Sequence, residues 1–145
     1  KGPNEVTYYP GHGGDPYELR LSRMDASGGW VSRPISMLKF AACIDKLNGR
    51  PDVLRPATID VMRTVSTGKG ANGYAKGLVV DGNRWLHNGC ISGTLSVLVH
   101  FANGISIAMA INTRPSGDVC TWDGMYPLAD AIQSASISWP SHDLF

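Results

Sequence analysis

Ser96-Val97-Leu98-Val99-His100-Phe101-Ala102-Asn103-Gly104-Ile105-Ser106-Ile107-Ala108-Met109-Ala110-Ile111 is the stretch on which the fold turns. Two β-rich runs, 96–101 and 105–111, flank Ala102-Asn103-Gly104, whose Asn-Gly pair is the strongest hairpin signal in the chain. Upstream, Tyr74–Val80 and Arg84–Ile91 read as two more strands around Asp81-Gly82-Asn83. Further upstream the periodicity is helical. A helix is predicted through Met37–Leu47, capped by Ser32 or Ser36, with Leu38, Ala41, Ala42, Ile44 and Leu47 on one face and Asn48-Gly49 as its stop. A shorter helix is predicted from Pro56 to Thr64, with Ile59, Met62 and Arg63 at helical spacing. The closing segment Met125–Ser136 predicts a helix with Leu128, Ala131 and Ile132 inward. Helices, then four strand-like runs, then a helix, with no βαβ alternation, predict an α+β class: an antiparallel sheet flanked by helices.

The totals suit one domain over residues 1–145, since 145 residues at 43% hydrophobic content bury a modest core. Residues 1–30 form a loop-rich lead-in, dense in breakers from Tyr8-Tyr9-Pro10 to Gly14-Asp15-Pro16. Thirteen Lys and Arg against twelve Asp and Glu leave a net charge of +1 with no basic run, which argues against a nucleic-acid partner. Charged residues make up only 17% of the chain, a surface suited to a protein partner or a polar neutral substrate. No apolar run approaches the ~20 residues that span a bilayer, so no membrane span is expected. Cys43, Cys90 and Cys120 have no C-x-x-C spacing and specify neither a zinc site nor a disulfide framework, though the count admits one bridge plus a free thiol. His12, His87, His100 and His142 never pair at i,i+4, so no metal and no cofactor is expected. Trp30, Trp85, Trp122 and Trp139 are scattered, as core or rim aromatics are.

Chemistry concentrates in Trp85-Leu86-His87-Asn88-Gly89-Cys90-Ile91-Ser92-Gly93-Thr94-Leu95-Ser96, which sets one histidine beside two glycines and several hydroxyls. Glycine in a strand marks a bulge or a close approach by another backbone. A substrate lying along an exposed strand needs that approach. The residues alone leave both readings open, a gripping ribbon or a bulge beside a core histidine.

Taken with Gly73-Tyr74-Ala75-Lys76-Gly77-Leu78 before it and Ile105–Asn112 after it, this stretch resembles the end of the serine β-lactamase and penicillin-binding domain. It is most similar to the class C-like branch, which includes esterases and D-aminopeptidases. His87-Asn88-Gly89 matches that branch's His-x-Gly triplet. Ala26–Ser32, Ile35–Phe40 and Leu54–Met62 resemble elements that precede it, so the likeness covers residues near 24 to 135. The resemblance implies the C-terminal portion of the β-lactamase/DD-peptidase-like fold, and an extracytoplasmic protein. His87 would assist proton transfer and help hold a substrate carboxylate or carbonyl. The backbone N–H of Cys90 would be one oxyanion-hole donor, with Asn88, Gly89 and Ser92 along the substrate.

That chemistry also needs a Ser-x-x-Lys nucleophile, which the family carries upstream of the matched region. Ser36-Met37-Leu38-Lys39 fits the pattern literally, but its neighbours match a later helix of the family and it is set aside. No Tyr-x-Asn occurs in the tyrosines of the lead-in. Gly11-His12-Gly13-Gly14 has no Gly-x-Ser-x-Gly elbow to serve, and Gly68-Lys69-Gly70 is no phosphate loop. Two functions are therefore expected to compete. One is a serine hydrolase portion acting with its missing N-terminal half or a second copy of the chain, on a small peptide, β-lactam or ester. The other is a non-catalytic binding or structural module on the same fold.

Overall fold

A computed structural model describes residues 1–11, 14–68, 72–114, 120, 122 and 124–142. His12 and Gly13 of the lead-in, and Lys69, Gly70 and Ala71 of the glycine break, lie outside the described residues. The helices are α1 (Leu21–Met24), α2 (Pro34–Ala42), α3 (Pro56–Arg63) and α4 (Met125–Ser134), and the strands are β1 (Val79–Asp81), β2 (Arg84–Ile91), β3 (Thr94–Phe101) and β4 (Ser106–Ile111). The strands form one antiparallel meander in the order β1-β2-β3-β4, so the chain is α+β with helices against the sheet. Among the described residues no helix is long and apolar enough to cross a membrane.

Two tight turns set the register. Asp81 pairs with Arg84 around Gly82-Asn83, and Ile91 pairs with Thr94 around Ser92-Gly93. Gly93 sits at φ 77°, a conformation that costs a glycine little. A side chain there would also collide with Pro16 and Tyr8 of the lead-in, which pack on this hairpin tip. Burial and a hydrogen bond from its own hydroxyl to Glu5 push the Tyr8 phenol up to about 12, so it stays protonated.

The alternation of side chains then sorts the sheet into two faces. Leu86, Leu95, Val97, Val99, Phe101 and Ile107 meet Met125 and Ala129 of α4 on one face. Trp85 and Leu98 meet Ala41, Ile44, Ile59 and Leu78 on the other, under α2 and α3.

Several expectations from sequence need correction. The helix expected to run to Leu47 ends at Ala42, and its N-cap is Arg33 with Pro34 at the first turn rather than Ser32 or Ser36. Beyond it Asp45 and Asp52 accept from the backbone N–H groups of Leu47 and Lys46, and Lys46 turns to φ 66°. Those bonds give the chain an alternative to a further helical turn, and Leu47 is left exposed. The run Tyr74–Val80 is not one strand. It folds back at Lys76-Gly77, Gly77 having φ 79°, with Ala75 N–H donating to Leu78 O at 2.7 Å and Val80 N–H to Gly73 O at 2.8 Å. On α4 the inward residues are Met125, Ala129 and, partly, Ile132, while Leu128 and Ala131 face out. The helix ends at Ser134, two residues short of the predicted stop. The lead-in carries α1 and single 3-10 turns at Pro16–Glu18 and Asp25–Ser27.

Candidate functional site

β2 is paired along its whole length with β3, but β1 covers only Arg84, Trp85 and Leu86 on the other side. From His87 to Ile91 no described strand lies on that side, so among the described residues this half of β2 is an open edge. The turns decide which main-chain groups face it. In a two-residue hairpin the flanking pair exchanges hydrogen bonds, and bonding then alternates along the strand. Ile91 bonds to Thr94, so Gly89 and His87 also bond toward β3, whereas Cys90 and Asn88 turn their N–H groups to the open edge. The bond from Ala102 N–H to Asn83 O, 2.8 Å, follows the same parity.

Side chains alternate across the sheet rather than in its plane. His87 is exposed and lies on the face of Trp85, Leu98 and the helices α2 and α3. The Tyr74 hydroxyl stands 3.3 Å from its Nε2, with the two rings edge-on at 6.2 Å. Gly89 is two residues further along the same face, and a Cβ there would sit 2.8 Å from Ser96 Oγ, so the serine hydroxyl occupies the space in front of the glycine. His87, Gly89, Tyr74 and Ser96 are thus brought together.

Asn88 is not among them. It points to the opposite face, where its Nδ2 donates to the Tyr126 hydroxyl of α4 at 2.6 Å, in a cleft shared with Arg84. Arg84 is matched there by Asp81 at 3.0 Å and Asp130 at 2.7 Å. The Cys90 sulfur points the same way as Asn88 and is bonded to Cys120, with Cα atoms 6.0 Å apart, while Cys43 is a free thiol. Of the cysteine readings left open by the sequence, one bridge plus a free thiol is the one adopted. Ser92 lies in the tip turn, beyond the strand. Ser36 is exposed on α2, which packs on β4 and β3. β4 lies two strands from β2, roughly 10 Å away at ordinary strand spacing.

His100 is a core histidine. It is buried on the α2/α3 face, stacked on Trp85 at 4.9 Å and 21°, with its Nδ1 2.9 Å from Ser106 Oγ. Arg63 lies over the Trp85 ring at 5.4 Å and donates to Ile44 O at 2.6 Å. Burial, and then the Arg63 charge, hold His100 below its ordinary value, with Asp45 opposing. Neutral His100 suits a site that already holds a half-buried guanidinium.

The sequence did not single out Tyr74 or Ser96, which the structure sets beside His87 and Gly89. Tyr74 belongs to a run that reads as continuous strand until it is seen to fold back. Ser66-Thr67-Gly68-Lys69 is a further literal Ser-x-x-Lys. Ser66 N–H donates to Tyr74 O at 3.0 Å in non-helical chain. Lys69 is outside the described residues. Among the described residues no group of His, Cys, Asp and Glu is arranged to hold a metal. Comparison of the chain with protein-family models, with curated proteins and with solved structures finds no match.

Proposed function

We propose that this chain is the C-terminal portion of a serine hydrolase domain of the β-lactamase, D-alanyl peptidase and esterase type, acting with a segment that brings the nucleophile. The observation that carries the proposal is the open edge of β2, on which the Cys90 N–H faces outward beside an exposed His87. An acyl substrate laid along that edge meets a main-chain donor at its carbonyl oxygen. As a serine from the partner segment attacks, negative charge develops on that oxygen, and the Cys90 N–H stabilises it. One such donor is worth about a 10²–10³-fold rate factor in known enzymes. His87 supplies a ring nitrogen for the substrate carboxylate or for proton transfer to the leaving group. This role belongs to the Cys90 main chain, so its sulfur is free to be bonded to Cys120.

A second reading, a non-catalytic binding module, is favoured by Ser96 Oγ standing in front of Gly89. There the same edge pairs with an extended peptide through its main chain alone. One experiment separates the two. The chain is mixed with a recombinant segment carrying a Ser-x-x-Lys helix of this family, and hydrolysis of a chromogenic ester and a β-lactam is followed. Turnover that disappears with His87→Ala supports the hydrolase. Absence of turnover in every pairing, with a peptide still bound at the edge, supports the module.

A further inference from the structure

The Tyr74 hydroxyl is aimed at one particular nitrogen of His87, and nothing in the proposed chemistry accounts for it. The main chain that carries it is closely held, although the ring itself is partly exposed. Gly73 holds φ 81°, and a Cβ there would sit 2.9 Å from Val80 O. Val80 N–H closes on Gly73 O at 2.8 Å, and Ser66 N–H closes on Tyr74 O at 3.0 Å. The next residues anchor inward: Ala75 and Leu78 are buried, and Lys76 bonds back to the end of α3 through its N–H to Met62 O and its Nζ to Thr64 O. The fold-back of residues 73–80 holds the Tyr74 main chain, and the hydroxyl stands 3.3 Å from His87 Nε2.

A phenol O–H is a better donor than its oxygen is an acceptor, and a neutral imidazole offers one bare nitrogen. We infer that Tyr74 is a positioning residue for His87: its hydroxyl donates to Nε2, holds the ring as the Nδ1–H tautomer, and so makes Nδ1 the donor offered to a bound substrate. The use of that donor rests on the hydrolase reading, but the tautomer itself does not. Fixing a catalytic histidine's tautomer through its other nitrogen is a general device.

The test is a two-bond ¹H–¹⁵N spectrum of the neutral histidines in the whole chain, with His87 assigned by its disappearance in His87→Gln. The expected result is Nδ1–H for His87 in the parent protein and a shift to predominantly Nε2–H, the form imidazole prefers in water, in Tyr74→Phe. The other histidines, and the amide spectrum outside residues 66–90, should stay put. If Tyr74→Phe perturbs the amide spectrum globally, Tyr74→Trp, whose N–H also donates, is measured, and a retained Nδ1–H form supports the inference. Nε2–H in the parent protein, or a ratio that Tyr74→Phe does not move, overturns it. Failure of the mixed hydrolysis experiment with the tautomer switch intact removes the hydrolase and leaves the Tyr74 assignment standing.

Discussion

The two faces of the sheet are built to different rules. On the α4 side the strand residues are apolar from Leu95 to Phe101, and the half of β2 beyond Leu86 is covered by the Cys90–Cys120 bridge and the Asn88–Tyr126 bond. On the α2/α3 side Trp85 and Leu98 are sealed, while His87, opposite Leu98, is exposed and Gly89 and Ser96 beyond it are half-buried. The same two strands supply both faces, so the difference comes from what each helix layer covers.

The largest effect should follow from breaking the dry face. Phe101 is 2% exposed there, so Phe101→Ala is expected to cost roughly 3–5 kcal/mol in urea unfolding. A loss under about 1 kcal/mol would dissolve the contrast between the faces. Next is the bridge, which joins residues 30 apart. By loop-closure entropy, Cys120→Ser should remove roughly 3–4 kcal/mol, read from the same unfolding curves.

A third test acts on the sealed end of the other face through pH. His100 is held below its ordinary value, so the unfolded chain takes up the proton first. Its contribution to stability is fully present above about pH 6.5 and is lost as the pH falls below that value through the folded one. Unfolding midpoints measured down to pH 4 should therefore drop, and less so in His100→Phe. An equal drop in both would place the proton elsewhere. The smallest effect belongs to the open end: His87→Ala should change stability by no more than about 0.5 kcal/mol. A large loss there would make His87 a packing residue and end the contrast from the other side.

Much of the fold was legible in the chain. Arg84–Ile91 has the predicted bounds as a strand, α3 differs by one residue, and the 102–104 turn falls where Asn103-Gly104 marks it. Those signals are local: alternating apolar residues and glycine turns act over a few neighbours. The site was legible in part. His87, Gly89 and Cys90 share the open half of β2, but Asn88 was assigned to the substrate by adjacency, and strand alternation sends it to the opposite face. Ser92 was likewise drawn in by nearness in sequence and belongs to the turn.

By itself, the order of residues determined the helix-strand-helix succession, the antiparallel class and the turns at 81–83 and 102–104. Glycine turns and period-two alternation are local signals that need no distant partner. Tertiary structure alone decided where α2 stops, that residues 73–80 fold back, that Cys90 takes Cys120, and that Tyr74 reaches His87. Each depends on groups distant along the chain or on competing backbone bonds of similar energy, and only the packed molecule sets which of these prevails.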